Sequence, residues 1–198
     1  MKKVLTLIAA AILCMSASAQ VQFGGKVGFD LTHFWGKDAA HGIKPSYQFG
    51  LIMEYKATPN FAIAPEVVFA AQGSRFKALE IDFFDMDVST GTVTCNTNYI
   101  NVPIMFKYYV APSFSIDLGP QVGFNVYSKY SVKGVDKAVD IKDGTKPVDV
   151  GVGIGGTYNL TDNAFVQARY TMGLTKVYKA DYNKEKNGNI QIAFGMKF

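Results

Sequence analysis

The feature that most limits what this chain can fold into is an alternation of apolar and polar side chains, period 2, that recurs eight times between residue 23 and the end of the sequence. Successive side chains of a strand point to opposite faces, so each stretch reads as a strand with one apolar and one polar side. In the first, Phe23, Val27, Phe29 and Leu31 oppose Gly24, Lys26, Gly28, Asp30 and Thr32. In the second, Tyr47, Phe49, Leu51, Met53 and Tyr55 oppose Ser46, Gln48, Gly50 and Glu54. The third runs from Phe61 to about Gln72, and the fourth sets Ile100, Val102, Ile104, Phe106 and Tyr108 against Tyr99, Asn101, Pro103, Met105 and Lys107. The fifth covers 114–126, the sixth 148–155, the seventh 166–173 and the eighth 189–198.

The connections alternate in length. Residues 57–60, 111–113 and 159–163 are short, whereas 36–44, 73–98, 128–147 and 176–188 are long. Short turns at one end and long loops at the other are the pattern of outer-membrane barrels. The expected fold is all-β: an eight-stranded antiparallel up-and-down transmembrane β-barrel. An even strand count allows closure with both ends of the chain on one side.

Period 2 alone does not separate a membrane barrel from a soluble one. The strand ends do. Tyr55, Phe61, Tyr108, Phe114, Tyr158 and Phe198 gather at the end with the short turns, and Phe34, Trp35, Tyr47, Phe69, Tyr99 and Tyr127 at the other. Two aromatic girdles suit a lipid-facing wall. The bulky side chains also sit on the apolar face, while Gly, Ala, Ser, Asn and Gln populate the polar face. A narrow barrel is crowded inside, so small residues belong there.

The inward face carries Asp30, Glu54, Glu66, Asp117 and Asp149 against Lys26, Lys107, Arg169 and Lys197. A buried charge left alone is far costlier than a paired one, so these groups are expected to pair and seal the interior. A salt-bridged plug is favoured over an ion or proton pathway.

Residues 1–19 have the form of a secretory leader: Lys2 and Lys3, an apolar run from Val4 to Met15, and Ala17-Ser18-Ala19 before the cleavage point. Residues 20–198 are then the barrel domain. Leu13 before Cys14 departs from the small residue that a lipidation signal requires. Without the leader, Cys95 is the single cysteine, and it reads as an inert loop thiol. The remaining 18 basic and 16 acidic residues form no like-charge block, which leaves no case for nucleic acid.

Asn98-Tyr99-Ile100-Asn101-Val102-Pro103-Ile104-Met105-Phe106-Lys107-Tyr108-Tyr109, followed by Leu118-Gly119-Pro120-Gln121-Val122-Gly123, resembles the core of the PorT-like outer-membrane β-barrel family. Ala64-Pro65-Glu66 through Gln72-Gly73 resembles its preceding strand, and Phe23-Gly24-Gly25-Lys26-Val27-Gly28 its first. The resemblance implies an outer-membrane barrel, a family mostly without assigned activity. Phe198 looks like the terminal aromatic by which the barrel-assembly machinery recognises its clients.

The sequence offers few candidates for chemistry. His33 and His41 are the only histidines. Asp38 lies near His41, and Ser74 or Ser128 could approach, but no spacing demands a triad. Glu80, Asp82, Asp85 and Asp87 form an acidic stretch without the ligand spacing of a calcium loop. Ile81, Phe83, Phe84 and Met86 in the same stretch suit packing or a partner. The glycine pairs lack the Lys-Ser/Thr ending of a phosphate loop. No cofactor or metal is expected, and no enzymatic activity. The leading expectation is a structural or interaction role through the outer loops or the periplasmic rim, with lipid, the assembly machinery and an envelope or surface protein as partners. A rim enzyme acting on lipid or peptide, a narrow channel and a small-ligand carrier are the alternatives.

Overall fold

The computed structural model describes residues 20–36, 42–82, 87–132, 138–180 and 184–198; of 77–82, 87–91 and 132 it describes the backbone alone. The leader expected over 1–19, together with His41, Asp38 and Asp85, lies outside the described residues, as do the side chains of Glu80, Asp82 and Asp87. The described residues form nine strands: β1 (Val21–Trp35), β2 (Lys44–Thr58), β3 (Phe61–Asp82), β4 (Asp87–Ala111), β5 (Phe114–Val132), β6 (Val139–Asp140), β7 (Val148–Asn159), β8 (Ala164–Gly173) and β9 (Lys186–Lys197). No described helix is long and apolar enough to cross a membrane.

Each long strand pairs antiparallel with its neighbours, β4 pairs with β5, and β1 pairs with β9. The result is a closed ring of eight strands, with β6 appended to the outer end of β5. Closure matters because backbone N–H and C=O groups in hydrocarbon find no water, and a ring leaves no open edge. At the seam Gly24 pairs with Lys197 and Trp35 with Lys186, and Phe23 exchanges backbone hydrogen bonds with Phe198 (3.3 and 2.8 Å).

Parity decides the two faces. Val27, Phe29, Phe49, Leu51, Val67, Ile104, Leu118, Ile154, Ile192 and Phe194 are all exposed on the outer wall. Lys26, Asp30, Gln48, Glu54, Glu66, Lys107, Asp117, Gln167 and Arg169 are all buried inside. This is the reverse of a water-soluble protein, and only a hydrocarbon surrounding makes that wall stable.

Three sequence expectations are corrected. The stretch 73–98 is no loop: β3 and β4 stay paired from Phe61↔Tyr108 outward to Asp82↔Asp87, past the last β2 partner of β3 at Ala70. There both faces leave the bilayer and period 2 disappears, yet Thr90, Thr92, Thr94 and Thr97 keep the β-branched character of a strand. Cys95 accordingly lies in β4, buried. The stretch 128–147 likewise holds the end of β5, the short β6 and a 3₁₀ turn at Lys142–Gly144. Finally, Phe34 and Tyr99 do not face lipid, because both occupy inward positions and are almost wholly buried.

Two neighbouring glycines test the closing seam. A Cβ on Gly24 would lie 2.2 Å from the carbonyl oxygen of Met196, whereas one on Gly25 meets nothing nearer than 3.7 Å. We expect Gly24→Val to lose the compact form that migrates faster in unboiled gel samples, and Gly25→Val to keep it.

Candidate functional site

The lumen is organised in layers that can be read from the short-turn end outward. Lowest is Glu54, from β2. It accepts hydrogen bonds from the Lys107 ammonium (2.9 Å) and the Tyr109 hydroxyl (2.5 Å), both on β4, and lies 3.5 Å from Lys197 of β9. Both ammonium groups also face the ring of Phe165, at 6.0 and 5.9 Å from its centre. Above it Asp117 accepts from Ser115 (2.6 Å), Thr157 (2.5 Å) and Gln167 (3.4 Å).

The middle layer crosses the barrel. Glu66 stands on β3 and Arg169 on β8, four strands apart in a ring of eight. Two parallel N–H···O contacts of 3.0 and 2.7 Å join them, and Lys26 of β1 adds a third at 2.7 Å to the same carboxylate. The Lys26 ammonium also donates to Gln167 (3.0 Å). A fork-on-carboxylate pair fixes direction as well as distance. Glycine makes room on β7: a Cβ on Gly155, abreast of Arg169, would lie 2.8 Å from the Arg169 Cα and 3.0 Å from its Cβ.

Nearer the outer end the carboxylates have neutral partners. Asp30 accepts from Gln48 (2.8 Å) and Asn189 (3.1 Å), and Asp149 from Thr175 and Asn187 (2.8 Å). The expectation that every inner charge pairs with an opposite one is therefore corrected. Among the described residues the two glutamates take all four of the named cations, while Asp30, Asp117 and Asp149 are held by amides and hydroxyls. Aspartate is short and stays near its own wall, so it meets small local donors; glutamate reaches the long cations that span the lumen. Sequence reasoning missed Lys44, which is also buried and donates to the Gln72 carbonyl (3.0 Å). Its even number, in line with Ser46 and Gln48, was the available signal.

The outer mouth changes character. Phe34, Cys95, Val177 and Tyr178 form a buried apolar cluster with Tyr130 and Ile141 packed against it. Phe34 meets Tyr178 edge to face, with centroids 6.2 Å apart. The Tyr178 hydroxyl bridges the Cys95 sulfur (3.2 Å) and the Tyr130 hydroxyl (2.6 Å). Residues 174–180 cross the opening as a strap, tied by Lys146 N to Val177 O (2.8 Å), Lys179 N to Gly144 O (2.9 Å) and Val177 N to Glu185 O (2.8 Å). Burial pushes the Cys95 thiol up to about 11 and the Tyr130 hydroxyl up to about 12.

On the outer wall, Tyr47, Tyr55, Tyr108, Phe114, Tyr127 and Tyr158 are exposed, and Phe61 and Trp35 half-buried. The Trp35 indole donates to Asn187 O (2.9 Å) and Lys186 sits 4.8 Å above its ring. Phe198, beside the seam, is 81% exposed. His33 stacks on Tyr170 (6.2 Å) against Gly188, and the described serines considered for a triad, Ser74 and Ser128, are buried. Among the described residues no group of three His, Cys, Asp or Glu side chains is placed to hold a metal ion.

A closed ring with a lipid-facing wall and a polar lumen defines a small transmembrane barrel of the porin-like class. Residues 16–179 match the model of the outer membrane protein beta-barrel domain family, and the chain belongs to that family, which places it in the outer membrane. Among solved structures, it is similar to Ail, the attachment invasion locus protein of Yersinia pestis, at 15% identity and TM-score 0.54, covering 90% of this chain and 99% of that one. It is also similar to Neisserial surface protein A at 13% identity and TM-score 0.55, covering 91% and 98%. At such identities the likeness is one of fold. No protein of curated function matches the sequence significantly.

The lumen and the buried cluster at its mouth make three expectations testable. Glu66→Gln leaves Lys26 and Arg169 buried without their carboxylate, and should cost about 3–5 kcal/mol in urea unfolding from lipid vesicles. Asp30→Asn, which disturbs only neutral donors, should cost about 1–2 kcal/mol. A raised pKa keeps the Cys95 thiol protonated, so at pH 8 iodoacetamide should leave it unmodified in the folded barrel and alkylate it after heat unfolding.

Proposed function

We propose that this protein is a non-conducting outer-membrane barrel that acts through its outward β3–β4–β5 extension, as an adhesion, assembly or other interaction component. The observation that carries the reading is the contrast between the two ends. The lumen is crossed by Glu66–Arg169 and lidded by the 174–180 strap, while β3 continues over 71–82 past its last β2 partner, roughly 40 Å of strand at about 3.3 Å per residue. A pore would need the reverse investment.

The aromatic rows then serve as membrane-interface anchors: Tyr55, Phe61, Tyr108, Phe114 and Tyr158 on the periplasmic side, Trp35, Tyr47 and Tyr127 on the outer side. The inner charges are structural, Phe198 is the signal read by the barrel-assembly machinery, and the sequence resemblance supports grouping the chain with the PorT-like barrels. An enzymatic role is not part of the proposal, because His33 is engaged with Tyr170 on the wall.

Planar-bilayer recordings test it. Wild-type protein should give conductance indistinguishable from lipid alone, and a variant with 174–180 and the Glu66–Arg169 pair both removed should conduct. Steady single-channel openings from the wild type would sink the sealed-barrel reading. Replacing 76–93 by a two-residue turn should leave the heat-dependent gel shift intact while abolishing any surface interaction of expressing cells.

A further inference from the structure

We infer that the outer wall from β9 and β1 across to β5 carries a docking groove for a phosphorylated glycolipid of the outer leaflet. Its lower part is a groove of about 730 Å³ whose floor is bare backbone at Gly25, the one outward glycine of β1. Phe49, Leu51, Val67, Phe69 and Ile100 wall it. Most of the wall is an unbroken apolar surface, and a missing side chain there makes a furrow that an acyl chain fills.

One row outward of the furrow lies a second, separate recess of about 340 Å³ between Tyr47 and Tyr127. Aromatic rings bridge the two, with Phe69 against both Phe49 (5.2 Å) and Tyr47 (6.4 Å). Cross-strand register explains the recess. Ala71, Asn98 and Tyr127 lie abreast on β3, β4 and β5, and one step outward come Gly73, Asn96 and Lys129. Small residues on β3 and β4 between two tyrosines leave the depression, and Asn96 and Asn98 line it with amide groups.

Cations stand above it. Lys129 sits 5.1 Å over the Tyr127 ring, and Arg75, one row further out and abreast of Thr94 and Ser131, is exposed. The cross-strand neighbour of Lys129 is Asp140, whose carboxylate accepts the backbone N–H of Lys142 (2.9 Å). From the bilayer outward the order is therefore acyl-sized furrow, amides at headgroup depth, then ammonium and guanidinium. That is the order of an amphiphile with aliphatic chains, sugar hydroxyls and phosphate, and guanidinium suits phosphate by its forked geometry. The polar end lies on the side of the long connections, so the lipid comes from the outer leaflet.

The test uses full-length protein folded in nonionic detergent, with folding checked by the gel shift, and native mass spectrometry after addition of bisphosphorylated lipid A. A one-to-one adduct is expected. It should weaken about tenfold, a loss of about 1.4 kcal/mol, when the phosphates are removed, in the Arg75→Gln, Lys129→Gln double variant, or in Gly25→Phe. The two variants act at opposite ends of the groove, and either one that keeps the gel shift is informative. Equal retention of phosphatidylglycerol, an adduct indifferent to both variants, or a protein dimer in place of a lipid complex would each overturn the assignment. None of these outcomes bears on whether the lumen conducts.

Discussion

The carboxylate of Glu66 meets Arg169 from the opposite wall and Lys26 from a third strand, and the rest of the barrel is arranged so that these contacts can form. A membrane barrel cannot draw specificity from burying its bulky side chains, because the lipid outside is as apolar as they are. What distinguishes one register from another is the lumen, where a displaced charge has neither water nor a partner. A one-residue slip would send Lys26, Glu66 or Arg169 into hydrocarbon. The trans-lumen fork thus does in this fold what close packing of apolar side chains does in a soluble core.

That logic accounts for the division of labour among the acids. Long glutamates and long cations span the lumen, while aspartates hold to their own walls by neutral donors, so the layers are stacked without competing for the same partners. Glycine on β7 gives Arg169 its path, and Gly123 lies against Asn101 and Tyr99, where a Cβ would approach to 2.5 and 3.3 Å. Lys44 is the fifth buried cation among the described residues, beside Lys26, Lys107, Arg169 and Lys197.

Much of this was legible in the sequence, because parity is forced wherever one face meets lipid and the other a crowded lumen. The eight strands, their faces and the nine inward charges other than Lys44 follow from it. Partner choice does not, since it depends on stagger between strands: nothing in the spacing of Glu66 and Arg169 says that they meet across the ring. Parity also fails where the bilayer ends. Residues 73–98 lose the strict alternation, and so look like a loop although 73–82 and 87–98 lie in paired strands. Phe34 and Tyr99 are aromatic residues near a rim, but each occupies an inward position, and there parity was the better guide than residue type.

The two aromatics mark a change in the physics of the interior. At bilayer depth the wall is apolar and the lumen polar; above it, water surrounds the outside of the extension, and apolar side chains again gain by turning inward. Phe34, Val177 and Tyr178 do so over Cys95, and the strap that carries two of them closes the mouth. The lid therefore forms by ordinary hydrophobic burial at the level where the lipid stops driving the opposite arrangement. One chain satisfies both surroundings by reversing its inside and outside along a single set of continuous strands, and the row of Tyr47, Ala71, Asn98 and Tyr127 lies at that reversal, where an amphiphile is matched along its length.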